Sequence, residues 1–226
     1  EGWDGWLRLQ YLHPDHVTDA LVEAVAEIEA VVPYFDIPLQ HADGEMLRAI
    51  LIHILSVYWP EMIGRIRRRL PEAALRTTFI VGYPGETQTA FERLLRFVQR
   101  VRFDRLSAFR YWDEEGAPSH ELSGKVPEDL AEERLAELLQ VQEGVSCDIN
   151  RELIGGELRV LVEGRGEAGE VLGRSYRDAP EVDGNVILRG AGAGDVRPGS
   201  FVDALIEEAE EHDLIGRPMC AQSARA

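Results

Sequence analysis

The amino-acid sequence predicts an α/β protein in which a series of βα units is followed by a small all-β barrel. Up to about residue 155, short β-prone runs alternate with longer segments whose apolar residues recur at the 3.6-residue spacing of helices. Beyond Gly155 the β-prone runs are separated by glycine turns and leave no room for helices. Because 45% of the 226 residues are hydrophobic, the chain can bury a core, which excludes disordered and collagen-like classes.

Four strands are predicted in the first part of the chain, at Leu7–Leu12, Tyr34–Leu39, Arg76–Val81 and Leu106–Tyr111. Helical segments follow these strands, and the last of the segments is long and begins near Pro127. Such a series indicates parallel strands with right-handed crossovers, in either a barrel or an open doubly wound sheet. Both arrangements place functional residues in the loops after the carboxyl ends of the strands.

The second part of the chain is predicted to be a small closed barrel of about sixty residues. Its predicted strands are Leu158–Val162, Glu170–Leu172, Val186–Leu188 and Phe201–Ile206. We therefore expect one domain at residues 1–155, the barrel at residues 156–217 and a tail at residues 218–226.

The chain is strongly acidic, with 41 Asp and Glu against 24 Lys and Arg, a net charge of −17. Such a charge repels phosphate, so nucleic-acid and membrane partners are disfavoured and a basic partner is expected. The two cysteines, Cys147 and Cys220, exclude a disulfide framework and a four-thiolate metal site, and they favour a cytoplasmic protein. No apolar run approaches the ~20 residues that span a bilayer, and no signal peptide is recognisable. The β-prone run at residues 6–12 indicates a start inside a domain.

The loop after the third predicted strand is a candidate binding site. Gly82 and Gly85 allow the backbone to approach a ligand closely, and the helix that follows offers free N–H groups. The alternative, which spacing alone favours, is a tight βα turn in which Thr87 or Thr89 caps the helix.

Gln40 and His41 form a second candidate, because they follow a strand end, where a barrel presents its ligands. A single histidine at such a position is more often structural. The six histidines of the chain show no metal-ligand spacing.

Two further features carry open alternatives. The loop at residues 173–184 has the densest run of polar residues and is either a recognition loop or a solvated turn. The second feature is a set of aromatic residues that could stack on a base or a sugar, although core packing is the favoured interpretation. Its members are Trp3, Trp6, Phe109, Tyr111 and Trp112.

Several of these strings together resemble the radical S-adenosylmethionine methylthiotransferases. The similar strings are residues 8–14, with the pattern Arg-Leu-x-Tyr-Leu-x-Pro, residues 36–41, residues 76–87, residues 103–106 and residues 114–118. The second part of the chain resembles a TRAM domain, an OB-like barrel. The resemblance covers almost the whole chain and implies a partial (βα) radical-SAM-type barrel followed by a small all-β OB-like TRAM barrel.

Within this family, the loop at residues 173–184 is most similar to that of the enzymes that methylthiolate the β-carbon of an aspartate in a small-subunit ribosomal protein. Residues 157–217 carry seven Arg and fourteen Asp and Glu, a charge that should attract a basic ribosomal protein and repel tRNA. Two alternatives remain: a fragment of a tRNA methylthiotransferase, and a non-catalytic module that binds a basic ribosomal protein.

The resemblance also implies site residues. Contacts to S-adenosylmethionine are implied for Arg8, Gln40, His41, Gly82, Pro84, Gly85 and Glu86. Recognition of the protein substrate is implied for Arg174, Tyr176, Arg177, Asp178, Glu181 and Asp183.

The chain departs from the family in two places. The Cys-x3-Cys-x2-Cys motif that holds a 4Fe-4S cluster in the family is missing, so we expect no cluster on this chain alone and a C-terminal fragment without catalytic competence. In addition, Ile50–Tyr58 is apolar where the family usually has an arginine-rich turn.

Overall fold

A computed structural model describes residues 5–50, 59–166, 169–190 and 192–219. These residues form two compact units, Glu1–Val145 and Ser146–Ala226, each of which is described by itself. The expected domain limits at residues 155 and 217 remain predictions. Apart from Ile50, the apolar segment at residues 50–58 lies outside the described residues.

The sheet of the first unit consists of four parallel strands in sequential order. They are β1 (Leu7–Leu9), β2 (Val31–Asp36), β3 (Ala74–Val81) and β4 (Arg105–Arg110). Among the described strands the order β1-β2-β3-β4 contains no reversal, which is the order found in the wall of a barrel, and no switch point of a doubly wound sheet occurs among them. The predicted α/β class with parallel strands is thereby confirmed, although β1 ends earlier than expected and β2 lies three residues nearer the N-terminus.

In the described part of the chain five helices accompany this sheet: α1 (Asp19–Glu27), α2 (Gly44–Ile50), α3 (Trp59–Arg69), α4 (Gln88–Val101) and α5 (Glu128–Glu152). Short 3-10 turns lie at Pro14–His16 and Pro118–Glu121. Thr87 caps α4 by accepting a hydrogen bond from the amide of Ala90, so of the two predicted alternatives, Thr87 and Thr89, the structure selects Thr87. Pro60 lies in the first turn of α3, where its missing N–H costs nothing, and therefore starts this helix.

The two faces of the sheet differ in chemistry because successive side chains of a strand point to opposite sides. On one face Leu75, Phe79 and Val81 belong to the hydrophobic core, in which Phe79 makes edge contacts with Phe97 and Phe103 at ring distances of 6.4 and 5.9 Å.

The other face of the sheet is polar. Arg76 lies 3.4 Å from the carboxylate of Asp36 on β2 and donates a 2.9 Å hydrogen bond to the hydroxyl of Ser107 on β4. On β1 the guanidinium of Arg8 stacks over the ring of Tyr34, 4.1 Å from its centroid. This polar face therefore joins all four strands through side-chain contacts.

The second unit contains a closed five-stranded barrel with the order β5-β6-β7-β9-β8. Its strands are β5 (Glu157–Arg165), β6 (Val171–Ser175), β7 (Val186–Leu188), β8 (Phe201–Ala209) and β9 (Leu214–Pro218), with a short 3-10 turn at Ala193–Asp195. The prediction of a small closed barrel is confirmed, and β7 has the predicted limits. β9 was missed because Gly216 and Pro218 are typical of turns and not of strands.

Closure of this barrel requires glycine at two positions where neighbouring strands come very close. A Cβ at Gly173 would lie 2.6 Å from both the carbonyl oxygen of Leu161 and a methyl group of Val160, and a Cβ at Gly216 would lie 2.6 Å from the carbonyl oxygen of Leu205. Glycine is therefore required at both positions because no larger residue would fit between the strands.

We expect Gly173→Ala to destabilise the barrel by about 1–3 kcal/mol, because the added methyl group overpacks the β5–β6 contact. Gly164→Ala in β5 is the matched control, since a Cβ there has no atom within 4 Å. Amide hydrogen exchange of the barrel strands measures both variants. Equal protection in the two variants would contradict the steric explanation.

Candidate functional site

Three neighbouring strands end in residues with left-handed backbone conformations. Tyr11, Gln40 and Gly82 follow β1, β2 and β3 and have φ angles of 55°, 66° and 75°. Such angles are uncommon for residues other than glycine, and they cluster at functional sites where the surroundings hold them in place. The carboxyl edge of the sheet is therefore the candidate site, as the βα series predicted.

Gln40 connects the loop after β2 to the end of β3. Its amide donates to the carbonyl of Thr78 and its carbonyl accepts from the amide of Ile80, both at 2.9 Å. This pairing brings Gln40 and His41 next to the loop at residues 82–86, where the side chains of His41 and Glu86 are 3.0 Å apart. The two candidate loops therefore lie together, as expected for loops that follow strands of one parallel series.

The carboxylate of Glu86 lies at the centre of this edge and has no solvent exposure. It accepts hydrogen bonds from the amide of Gly82 at 2.7 Å, from the guanidinium of Arg134 at 2.8 Å and from the ring of His41 at 3.0 Å. Arg134 also donates to the carbonyl of Glu86 at 3.0 Å. A buried charge is tolerated only when paired and hydrogen-bonded in this way.

The hydrogen bonds of His41 determine which of its nitrogens carries the proton. The amide of Asp43 donates to Nδ1 at 2.9 Å, so Nδ1 is the acceptor and Nε2 must be the donor toward Glu86. His41 is fully buried, and its backbone carbonyl accepts a hydrogen bond from the indole N–H of Trp59 at 3.0 Å. His41 therefore joins α3, the loop after β2 and the loop after β3 as a neutral residue.

Arg134 on α5 is a site residue that the sequence analysis missed. It occupies the buried stripe of the helix together with Ala131, Leu135 and Leu138, at a position where periodicity predicts an apolar side chain. A charged residue within an apolar stripe is the signal that would have revealed it. The same helix approaches Gly82 so closely that a Cβ there would lie 2.5 Å from Ala131.

Asp43, two residues after His41, caps the short helix α2. Its carboxylate accepts from the amides of Glu45 and Met46 at 2.9 and 3.2 Å and pairs with Arg93 of α4 at 2.7 Å. Burial alone would raise the pKa of Asp43, but the hydrogen bonds from Arg93 and from the two amides outweigh burial and hold the pKa below the ordinary 3.8.

The residues implied to contact S-adenosylmethionine divide into two groups. Arg8, Gln40 and Gly85 retain accessible surface, on the polar face or at the edge of the sheet. The remaining four, whose buried groups hold the loops, are His41, Gly82, Pro84 and Glu86. Contact of any of the seven with the cofactor stays a prediction.

The polar loop of the second unit is less exposed than the sequence suggested. Asp178 is only 1% exposed, and its carboxylate accepts from the hydroxyl of Ser175 at 2.7 Å. Asp183 accepts from the amide of Ala179 at 2.8 Å. Neither a recognition loop nor a solvated turn, the two predicted alternatives, describes Asp178, because its short carboxylate side chain closes the turn from inside.

The remaining implied recognition residues lie nearer the surface. Arg174 pairs with Glu163 across β5 and β6 at 2.6 Å, and the guanidinium of Arg177 donates to the hydroxyl of Tyr176 at 3.1 Å. Glu181 is exposed and has a left-handed backbone with φ of 66°. Their role in substrate recognition stays a prediction.

The favoured interpretation of the aromatic set was wrong for two of its members. Phe109 on β4 is 58% exposed and Trp112, two residues after this strand, is 71% exposed. Tyr111 between them is half-buried and packs edge-on against Tyr83 at 5.0 Å. Trp3 lies outside the described residues. Core packing therefore does not account for Phe109 and Trp112.

No group of three or more His, Cys, Asp or Glu side chains that could hold a metal ion occurs in the described residues. Cys147, the cysteine among them, lies in α5. No helix within these described ranges is both long enough and apolar enough to cross a membrane.

Replacing Glu86 tests the buried ion pair. Glu86→Gln should lower the free energy of unfolding of the first unit by about 3–5 kcal/mol, because the guanidinium of Arg134 is left buried without its counter-charge. Urea unfolding followed by tryptophan fluorescence reports on this unit alone, since all four tryptophans lie within it. Glu92→Gln, at an exposed pair with Arg96, is the control and should change the free energy by under about 0.5 kcal/mol.

Asp43 should contribute a stability that depends on pH. Because its pKa is lowered on folding, the contribution is present above the unfolded pKa near 3.8 and is lost as the pH falls through the folded value. Asp43→Asn retains a capping side chain but removes the charge. The difference in unfolding free energy between the two proteins should therefore be largest above about pH 5 and should shrink toward pH 3. A difference that is constant from pH 3 to pH 7 would contradict the assignment.

Comparisons with known proteins agree with this architecture. Residues 154–219 match the model of the TRAM domain. The chain is 42% identical over 218 residues to the ribosomal protein uS12 methylthiotransferase RimO of Thermosipho africanus, 43% identical over 211 residues to that of Thermotoga sp. strain RQ2, and 43% identical over 223 residues to that of Anaeromyxobacter sp. strain K. These alignments cover 95%, 93% and 98% of the chain but 48%, 48% and 47% of the relatives.

The chain thus spans about half the length of the curated relatives it matches. Similarity over nearly all of its residues agrees with the resemblance carried by the motifs at residues 36–41 and 76–87, and the TRAM domain agrees with the closed barrel. By sequence the chain is similar, over nearly all of its length, to about half of the ribosomal protein uS12 methylthiotransferase RimO of several bacteria, and its closed barrel matches the TRAM domain.

Proposed function

We propose that the chain is the C-terminal part of an enzyme that methylthiolates the β-carbon of an aspartate in ribosomal protein uS12, and that it acts with S-adenosylmethionine. Three observations support this proposal: the similarity to proteins named for uS12 methylthiolation, the order of the parallel strands, and the acidic barrel. We further propose a cytoplasmic location, which follows from a ribosomal substrate.

The acidic surface of the barrel is the observation that carries the choice of substrate. Glu207, Glu208, Glu210 and Glu211 are all exposed at the end of β8 and in the turn that follows. Of these, Glu207 pairs with Arg217 at 2.7 Å. A surface of this charge attracts a basic protein and repels the phosphates of tRNA.

The cofactor is proposed to bind at the carboxyl edge of the sheet. Arg8, Gln40 and Gly85 are the residues there that keep accessible surface, although one terminal nitrogen of the Arg8 guanidinium is buried, whereas His41 and Glu86 act by holding the loops. The glycine at position 85 lets the backbone approach a ligand closely.

Unlike S-adenosylmethionine, the 4Fe-4S cluster of the family has no proposed site on this chain. Such clusters require several thiolate ligands, and this chain has two cysteines, one of which lies in α5 and the other outside the described residues. The residues present therefore do not fit the cluster, and we propose that this chain alone does not hold one.

Two other functions remain as alternatives. A tRNA-modifying relative would be favoured by a basic barrel, and this barrel is acidic. A non-catalytic module that only binds a basic ribosomal protein is consistent with the two-cysteine count. Binding to uS12 is common to the proposed function and to this last alternative.

Titration of the chain against purified uS12 and against tRNA at several salt concentrations tests the proposed substrate. We expect tighter binding to uS12, and we expect it to weaken steeply between low and physiological salt because exposed charges are screened beyond about 8–10 Å. Tighter binding to tRNA would overturn the assignment and favour the tRNA-modifying alternative.

Association kinetics provide the control for this titration. Replacement of the four barrel glutamates by lysine should slow association with uS12 more than it speeds dissociation, because long-range attraction acts on the encounter. A matched fourfold reversal on exposed helix positions of the first unit should have a smaller effect. Its members are Glu61, Glu92, Glu137 and Glu143.

A further inference from the structure

A cavity of about 230 Å³ opens at the carboxyl edge of the sheet, within the first unit. Its apolar walls come from Pro84, Val126 and Ala131, and Trp112 stands at its side with 71% of its surface exposed. The wall formed by Gly82 and Pro84 belongs to the loop that is proposed to approach the cofactor. A side chain that enters this cavity therefore comes close to the proposed site of chemistry.

Charged residues line the same cavity, and the cations among them are already neutralised. Arg110 pairs with Glu128 and lies 3.6 Å from Glu132, and Lys125 pairs with Asp113. The lining alone is thus close to electrically neutral.

The surroundings of the cavity carry a large excess of negative charge. Residues 113–133 contain eight Asp and Glu and a single Lys. Five of these carboxylates are exposed and have no ion-pair partner within the described ranges. They are Glu114, Glu115, Glu121, Asp129 and Glu133. Asp129 and Glu133 lie in the first turns of α5, where the helix dipole favours negative charge. This effect does not explain the presence of the three glutamates that precede the helix.

A second concavity of about 510 Å³ lies on the opposite side of the same helical turns. Its lining combines Pro127 and Leu130 with the carboxylates of Asp129 and Glu133. Two concavities with apolar walls and acidic rims therefore flank the beginning of α5.

We propose that this acidic edge, which includes Trp112, binds lysine and arginine side chains of the basic protein substrate beside the site of chemistry. Lysine and arginine bury their aliphatic stems on apolar walls while their charges remain at a solvated rim, which is the chemistry of both concavities. Arg110 already lies over the indole of Trp112, 5.6 Å from the ring centroid, and with 71% of the residue exposed the ring keeps surface for a second cation. This inference rests on the proposed function and adds a second contact region to the barrel, on the unit that is proposed to carry the cofactor.

Binding of the full chain to purified uS12 tests the inference. Trp112→Ala should weaken binding about tenfold, because exposed aromatic anchors carry much of the affinity at such surfaces, whereas Trp112→Phe should retain most of it. The double variant Glu114→Lys and Glu115→Lys should weaken binding to a similar extent. The matched double variant Glu137→Lys and Glu143→Lys, further along α5, should stay within about twofold of the original chain.

Photo-crosslinking supplies a measurement that does not depend on affinity. A benzoylphenylalanine in place of Trp112 should cross-link to uS12, and the same group in place of Ile28, which is 51% exposed at the end of α1, should not.

The outcomes separate the inference from the proposed function. If the original chain fails to bind uS12, the proposed function fails. If uS12 binds and the barrel reversals weaken it while the Trp112 and Glu114/Glu115 variants bind as the control does, only the inference is overturned. Binding of tRNA that competes with uS12 and depends on Trp112 would also overturn it.

Discussion

The buried carboxylate of Glu86 is the constraint on which the carboxyl edge of the sheet depends. Its partners come from three separate places: Gly82 in the same loop, His41 after β2 and Arg134 on α5. Removing any charged partner leaves an uncompensated charge in the interior, which costs several kcal/mol. The loops and the helix are therefore held in one arrangement, and the backbone strain at Gln40 is tolerated within it.

The buried and the exposed groups near the carboxyl edge have different parts in the proposed function. His41, Glu86 and Arg134 have almost no exposed surface, whereas Trp112, Glu114 and Glu115 are exposed. Recognition of a partner is proposed for the exposed groups, because exposed loop side chains contribute little to the packing that holds a fold. Loops with binding groups on a rigid scaffold are the usual arrangement at the carboxyl ends of parallel strands.

In the second unit, too, the residues that form the core differ from the residues that are proposed to contact a partner. Its fold depends on apolar side chains such as Val160 and Ile206 and on the close approach that Gly173 permits, while Asp178 closes the loop after β6 from inside. The outward glutamates near the end of β8 have no part in this core. The net charge of a chain therefore describes its surface and its encounters, and has little bearing on its fold.

The sequence by itself determined the order of the βα units along the chain, the change to an all-β module after residue 155, the limits of β7 and a threonine cap at the start of α4, which it left open between Thr87 and Thr89. Each depends on local patterns, because periodicity reports burial and caps act within a few residues. Only the tertiary structure decided the role of Arg134, the burial of Asp178 and the exposure of Trp112. It also decided that Gly216 and Pro218 belong to a strand. These properties depend on contacts between residues that are distant in the chain. Such contacts form only when α5 packs against the sheet and when the barrel closes.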